Sequence, residues 1–158
     1  NRNINIRFLG PVKGNFKFIS NLDLLIIPSI IEPFGNTYLE AAQVGTPVIA
    51  AKSGGLKEII THKKTGILLK PKKYLTEDYL NDIDFSNIYS QLCKIDKKQI
   101  KLKIISEQCL AQAINDLLFD QRLLNSLSKD AYVNFQKKFS SSIFIRKIND
   151  IYFALIKK

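Results

Sequence analysis

Short apolar runs, each bounded by glycine or proline, constrain the fold of this chain more than any other feature. The runs cover residues 6–9, which Arg7 interrupts, and residues 24–27, 48–51 and 67–69. Because strands buried on both faces of a parallel sheet are continuously apolar, these runs predict about four parallel strands. The stretches between them have helical character, at about residues 15–21, 37–44 and 56–61. Strands and helices in alternation predict an α/β, Rossmann-like sheet with helices on both faces.

Helical periodicity replaces the short runs beyond residue 70. Apolar residues recur there at three- and four-residue steps within segments 110–118, 124–135 and 144–155. Residues three and four apart share one face of a helix. Each segment therefore predicts an amphipathic helix whose apolar face packs on the core.

The length of 158 residues fits a single domain, which we divide into three parts. These are an α/β core at 1–70, an insertion at 71–106 and a helical C-terminal region at 107–158. The insertion is polar and lysine-rich, with aromatic residues between its charges, and we expect one or two short helices in it. The sequence has no methionine and reaches a strand-like segment soon after Asn1, which is typical of a chain whose beginning is missing.

The net charge is +10, carried by 20 Lys and 4 Arg against 14 acidic residues. A positive surface attracts phosphates, acidic lipids and nucleic acids. Nucleic acid is disfavoured, because proteins that bind it more often use arginine forks or aromatic residues that alternate with the basic runs, whereas lysine dominates here without such alternation. Peripheral contact with an anionic membrane, a phosphate-bearing substrate and a plain solvated surface all stay open. The candidate membrane contacts are Lys94, Lys97, Lys98, Lys101 and Lys103.

We expect no bound metal, because a zinc site requires three or four convergent ligands, and Cys93, Cys109 and His62 lack such spacing. Both cysteines are interpreted as free thiols of a reducing compartment, which favours the cytoplasm. No apolar stretch of the sequence, residues 24–27 included, is long enough to span a bilayer.

The segment with the clearest chemistry is 28–40, which leaves the second apolar run, turns at proline and glycine, and enters a helix. Ligands of open α/β sheets bind beyond the carboxyl ends of the strands, where this segment lies. The amides of Gly35, Asn36 and Thr37 open the helix and have no partner within it. Together with the helix dipole they form a site for phosphate oxygens, and Gly35 allows the backbone to approach a ligand closely.

Two carboxylates flank this site, Glu32 in the loop and Glu40 in the first turn of the expected helix. Neighbouring hydroxyls of a ribose or a sugar are suitable partners, because a carboxylate accepts charge-assisted hydrogen bonds from both. Ligand-free interpretations also stay open. Thr37 and Glu40 match a capping box in which Glu40 bonds to the amide of Thr37, and Glu32 fits a solvated loop acid.

The same segment resembles the signature of retaining glycosyltransferases of the GT-B superfamily, in which two glutamates are separated by seven residues, usually as E-x-F-G-x-x-x-x-E. The chain reads E-P-F-G-N-T-Y-L-E from Glu32 to Glu40. Further blocks follow the family order at 8–10, 27–29, 40–42, 45–50, 54–60 and 65–68. The helical segment 139–152 resembles the family's C-terminal end, which crosses back toward the other domain. The insertion has no counterpart.

The resemblance implies a role for each matching position. Glu32 is similar to the catalytic acid that contacts the transferred sugar near the reacting centre. Glu40 is similar to the acid that holds the ribose hydroxyls of the donor. The positions that touch sugar and diphosphate are Phe34, Gly35, Asn36 and Thr37, and Gly10 and Pro11 match positions near the nucleobase. The family requires neither metal nor cofactor, since amides and basic side chains take the diphosphate charge.

The implied function is transfer of a sugar from a nucleotide-sugar donor to a glycan or lipid-linked acceptor, with retention of anomeric configuration, as in polysaccharide biosynthesis. The family's N-terminal Rossmann-like acceptor domain, and the basic pair that binds the diphosphate, would precede Asn1. We therefore expect no activity from this chain alone. Two alternatives stay open: a non-catalytic donor-binding partner or remnant of a split glycosyltransferase, and a related GT-B epimerase or phosphorylase.

Overall fold

A computed structural model of the chain describes residues 5–75 and 102–156. Three short strands form a parallel sheet in the order β1-β2-β3. They are β1 (Leu25–Ile27), β2 (Val48–Ala51) and β3 (Ile67–Leu69). The helices before and between them are α1 (Asn15–Ile19), α2 (Asn36–Val44) and α3 (Leu56–Ile59). Each element coincides with a segment whose pattern predicted it, to within one or two residues at its ends, and the α/β fold class is confirmed.

The core lies on both faces of the sheet, because successive side chains of β2 alternate between the faces. Val48 and Ala50 belong to one cluster, together with buried residues of α1, α2 and α3. Ile49 belongs to a second cluster, whose other buried members include Leu117 and Leu127 from the C-terminal region. The prediction of helices on both faces of the sheet is therefore confirmed.

The C-terminal region consists of three helices within the described ranges: α4 (Glu107–Phe119), α5 (Gln121–Lys138) and α6 (Ser141–Ile156). Ser106 and Asp120 begin the first two helices, since their side-chain oxygens accept hydrogen bonds from nearby backbone amides. Helix α5 packs across α2, and its apolar face, including Leu127 and Ala131, is buried. The predicted core-facing stripes of α4 and α5 are confirmed, except that Leu118 at the edge of the α4 stripe is exposed.

The predicted packing of α6 on the core is wrong. No described residue of this helix is buried, and Phe144, Ile151 and Tyr152 expose 64%, 58% and 62% of their surfaces. A periodic apolar face predicts that a helix needs a partner, but it does not identify the partner. Within 5–75 and 102–156, no element covers this face. In the same ranges, no helix has both the length and the apolar character that a bilayer-spanning helix requires.

The segment 6–9 does not form the predicted first strand. It carries no regular secondary structure, and Phe8 exposes 97% of its surface. An apolar run reports a preference for burial, whereas a strand also requires a neighbouring backbone, and the described residues offer none to this segment. The parallel sheet consequently has three described strands, where the sequence predicted about four.

The predicted insertion at 71–106 begins and ends on a small antiparallel ladder of β4 (Lys73–Tyr74) and β5 (Lys103–Ile104). Lys73 forms a 2.7 Å ion pair with Glu107, and the Lys103 ammonium lies 4.5 Å from the centre of the Tyr74 ring. The short helices expected between the strands fall outside the described residues. So do Cys93 and four of the five candidate membrane lysines, Lys94, Lys97, Lys98 and Lys101.

Candidate functional site

Two loops meet at the carboxyl edge of the parallel sheet. The 28–35 loop follows β1 and enters α2, and the 53–55 turn follows β2 and enters α3. Because β1 and β2 are adjacent and parallel, both loops emerge on the same edge. This edge is where α/β sheets bind their ligands. The sequence-predicted residues Glu32, Phe34 and Gly35 all lie in the first loop, and Asn36 and Thr37 open α2.

Glu32 is tied to the turn that starts the helix. The amide of Gly35 donates a hydrogen bond to Glu32 Oε1 at 3.0 Å, and Glu32 is half-buried. The interpretation of Glu32 as a plainly solvated acid is therefore wrong. The amide of Gly35, expected to serve a phosphate, therefore has a partner within the chain. The amides of Asn36 and Thr37 make no hydrogen bond to any other described residue, and both residues are exposed.

Gly35 is required for a reason beyond access to a ligand. It is the N-cap of α2 and has a φ of 102°, a left-handed conformation that side chains rarely adopt. A Cβ at this position would lie 2.6 Å from Ile59 Cδ1 and 3.1 Å from Leu56 Cδ2. The 28–35 loop therefore packs directly on α3, and Gly35 permits both the turn and the contact.

The capping-box interpretation of Glu40 is wrong. Helix α2 begins at Asn36, so its N-cap is Gly35, which makes no side-chain cap hydrogen bond. Glu40 consequently lies beyond the first turn instead of within it. Residues four apart share one face of a helix, so Glu40 lies on the same face as Asn36, one turn further toward the C-terminus of α2. Its half-buried carboxylate accepts no hydrogen bond from another described residue.

The remaining predicted positions are exposed. Phe34 exposes 55% of its surface beside Gly35. Gly10 and Pro11 are also exposed, and no hydrogen bond within the described residues joins them to the 28–35 loop. A Cβ on Gly10 would have no heavy atom within 4 Å. Their role near a nucleobase stays a prediction.

Two contributors to the site carried no role in the sequence interpretation. The first is the 53–55 turn, in which Ser53 Oγ donates to the carbonyl of Ser29 at 2.9 Å and the amide of Gly55 donates to the carbonyl of Glu32 at 2.8 Å. Adjacent glycines directly after an apolar run were the available signal, because such pairs mark close approach of two backbones.

The second is Tyr38, which lies between the two glutamates in the sequence and is fully buried. Its hydroxyl donates to the carbonyl of Thr65 at 3.0 Å. Burial raises the pKa of Tyr38, and the side chain of Thr65 partly opposes the shift. Tyr38 thus fixes α2, and with it the 28–35 loop, against the turn that precedes β3.

His62 is a structural residue in the described part of the chain. Its Nδ1 accepts a hydrogen bond from the amide of Leu68 at 3.0 Å, so Nδ1 carries no proton. Partial burial lowers the pKa of His62, as do the nearby charges of Lys63 and Lys52. Among the described residues, no three histidine, cysteine or acidic side chains converge as a metal site would require.

Sequence comparison relates this chain to glycosyltransferases. The family model "Glycosyl transferases group 1" matches residues 1–85. An uncharacterised glycosyltransferase of Methanocaldococcus jannaschii is 48% identical over 67 residues, which make up 41% of this chain and 17% of that protein. The glycogen synthase of Mycobacterium tuberculosis is 42% identical over 68 residues, which make up 42% of this chain and 16% of that protein. The chain therefore spans only a small part of the length of these curated relatives.

Structural comparison relates the whole architecture to a solved protein. Anabaena HepE in complex with UDP-glucose matches with a TM-score of 0.67 at 23% identity, and the match covers 94% of this chain and 32% of HepE. At this identity the likeness concerns the fold. It extends beyond the 85 residues of the family match and includes most of the C-terminal helical region.

Proposed function

Because the chain belongs to the group 1 family of glycosyl transferases, we propose that it binds a nucleotide-sugar donor and takes part in glycosyl transfer. One observation carries the proposal. The Glu32 carboxylate and the open amides of Asn36 and Thr37 lie together at the carboxyl edge of the sheet. Carboxylates suit sugar hydroxyls, and amides at a helix start suit phosphate oxygens. The UDP-glucose bound by HepE combines both chemistries in one ligand.

The diphosphate is assigned to the start of α2. The amides of Asn36 and Thr37 point out of the first turn, where the helix dipole adds positive potential. Within the described residues neither amide has to give up a hydrogen bond to receive a phosphate oxygen. Exposure of both residues leaves the ligand a path to them.

The two glutamates are assigned to the two ends of the donor. Glu40 holds the ribose hydroxyls, because its half-buried carboxylate has no described partner and shares a face with Asn36. Glu32 holds the transferred sugar. A carboxylate offers about four acceptor positions, so Glu32 can keep the Gly35 amide on Oε1 and accept a sugar hydroxyl on Oε2.

The proposed reaction retains the configuration of the sugar. The bond from sugar C1 to the diphosphate oxygen breaks, and a bond from C1 to the acceptor oxygen forms on the same face of the ring. The acceptor proton passes to the leaving phosphate oxygen, so the products are the glycosylated acceptor and the nucleoside diphosphate. Amides at the start of α2 stabilise the leaving charge, and Glu32 offsets positive charge that develops on the sugar. The step requires no metal.

Acceptor recognition is assigned to a second Rossmann-like domain, and the acceptor is a glycan or a lipid-linked sugar. The 158-residue chain alone consequently transfers no sugar. Turnover by this chain above a Glu32→Ala control would contradict that assignment. Supplying the second domain in trans is the matching positive experiment.

Ligand-detected NMR tests donor binding directly. The chain is titrated at millimolar ligand with UDP-, GDP- and ADP-glucose and with the corresponding nucleoside diphosphates. Saturation transfer to at least one sugar nucleotide is expected, and it should be displaced by the matching diphosphate. Absence of transfer to every member of this panel would overturn the proposed function.

A further inference from the structure

The 53–55 turn lies backbone to backbone against the 28–35 loop. The amide of Gly55 donates to the carbonyl of Glu32 at 2.8 Å, and Ser53 Oγ donates to the carbonyl of Ser29 at 2.9 Å. The loop is therefore held at two points by a segment that contributes no side chain to the proposed donor site.

Both glycines of this turn are required by the contact. A Cβ on Gly54 would overlap the carbonyl oxygen of Glu32, and a Cβ on Gly55 would overlap the carbonyl of Phe34. Gly54 also has a φ of +43°, in the left-handed region. The atoms that would be displaced are backbone atoms, which cannot rotate away as a flexible side chain would. By contrast, a Cβ on Gly10 or Gly14 would meet no heavy atom within 4 Å.

Glu32 is held at both of its ends by these contacts. Its carbonyl oxygen receives the Gly55 amide, and its carboxylate receives the Gly35 amide at 3.0 Å. A shift of the 53–55 turn would move the Glu32 backbone and change the distance between its carboxylate and the Gly35 amide.

We propose that Ser53, Gly54 and Gly55 are positioning residues that set the place of the Glu32 carboxylate. The inference rests on the proposed function, in which this carboxylate holds the transferred sugar. The turn acts through Glu32 and leaves the diphosphate to the amides of α2. Changes in the turn should therefore weaken binding of a sugar nucleotide more than binding of the free diphosphate. A glycine with only a structural role would change the stability of the fold and leave the relative affinities of the two ligands unaltered.

The first measurement needs no ligand. The amide proton of Gly35 reports its hydrogen bond to Glu32, and Glu32→Ala gives its chemical shift without that bond. In Gly55→Ala and Gly54→Ala the Gly35 shift should move toward the Glu32→Ala value. Gly45→Ala is the matched control, because Gly45 also has a positive φ of 75° but ends α2 at the opposite end from the loop. If Gly54→Ala and Gly55→Ala fold and the chemical shift of the Gly35 amide proton is unchanged in both, the inference is overturned.

The second measurement uses a sugar nucleotide that the parent chain binds, and its nucleoside diphosphate. Gly55→Ala should weaken the sugar nucleotide by about tenfold, the loss of one charge-assisted hydrogen bond, and change the diphosphate much less. Gly45→Ala should leave the ratio of the two affinities unaltered. Ser53→Ala removes a hydrogen bond without adding a steric clash. It should therefore also weaken the sugar nucleotide more than the diphosphate.

The outcomes separate the inference from the function beneath it. If the glycine variants fail to fold, Ser53→Ala decides, and an unaltered affinity ratio and Gly35 shift in that variant would overturn the positioning role. If the shifts move as expected but the parent chain binds no sugar nucleotide, the proposed function fails instead. The affinity for the sugar nucleotide, relative to that for the diphosphate, should fall in the turn variants and in Glu32→Gln but not in Gly45→Ala. That result supports both the positioning role and the proposed function.

Discussion

Glu32 Oε1 accepts a hydrogen bond from the backbone amide of Gly35, 3.0 Å away, across the turn that opens α2. The bond holds one carboxylate oxygen beside the helix start and leaves the second oxygen without a described partner. It also satisfies an amide that would otherwise be open at the positive end of the helix. The turn is thus held by a contact within the chain, and this contact fixes the Glu32 carboxylate beside the helix start.

Tyr38→Phe should lower the stability of the fold. The substitution removes the hydroxyl that donates to the carbonyl of Thr65 and leaves that carbonyl without this buried partner. The expected loss is about 1 kcal/mol in the free energy of unfolding. Urea unfolding followed by circular dichroism measures it. Tyr132→Phe is the control, since Tyr132 is exposed and should tolerate the change. Equal midpoints for both variants would contradict the role given to Tyr38.

Stability should depend on the protonation of His62, the single histidine of the chain. Partial desolvation and the charges of Lys63 and Lys52 lower the pKa of His62 in the folded state, below the ordinary histidine value of about 6.5. The unfolded chain therefore binds the proton more readily. The contribution of His62 is fully present above pH 6.5 and is lost as the pH falls through the folded pKa.

Urea midpoints measured between pH 7.5 and pH 5 check this dependence. The midpoint of the parent chain should fall with pH, and the slope should be smaller in His62→Gln. NMR of the single histidine ring gives its folded pKa directly. A pKa at or above that of an unfolded peptide would contradict the prediction.

The charge of +10 predicts contact with anionic lipid at low salt. Each lysine near such a surface contributes about 1 kcal/mol, and salt removes the contribution. Sedimentation with vesicles of phosphatidylserine and phosphatidylcholine should show more bound chain than with phosphatidylcholine alone. The residues to replace together are Lys94, Lys97, Lys98, Lys101 and Lys103. Equal partition into both kinds of vesicle would leave a solvated lysine surface as the explanation.

The pattern of short apolar runs was sufficient to locate all three parallel strands and the helices between them. It failed to give a strand at 6–9, and the helical periodicity of α6 predicted the helix but not its packing, because an apolar pattern reports a need for burial and not the partner that meets it. Phe8 and Tyr152 are exposed because no described element covers their segments. The motif located the loop and both glutamates, but not their local contacts. The N-cap of α2 is Gly35, two residues before the Thr37 that a capping box with Glu40 requires, and this difference was enough to remove the box.

The hydrogen bond between Glu32 and Gly35 could not be predicted from the sequence, for a related reason. It depends on the left-handed backbone at Gly35 and on the approach of the 53–55 turn, two features set by long-range packing on α3. The pair of glycines at 54 and 55 was visible in the sequence, but the backbone atoms that it accommodates were not.

Replacing the two glutamates tests the central claim, that the 28–35 loop and α2 hold the two ends of a sugar nucleotide. Glu40→Ala should change the free energy of unfolding by less than about 0.5 kcal/mol, the lower end of the loss for a helix cap, because Glu40 is not a cap. Urea unfolding of Glu40→Ala and Glu40→Gln checks that both remain folded before any ligand is added.

The decisive measurement is the affinity of the parent chain, Glu40→Gln and Glu32→Gln for one sugar nucleotide and its diphosphate, by ligand-detected NMR at millimolar ligand. Glu40→Gln should weaken both ligands, since both carry the ribose. Glu32→Gln should weaken the sugar nucleotide and leave the diphosphate almost unchanged. Equal affinities in all three proteins would contradict the assignment of Glu32 and Glu40 to the donor.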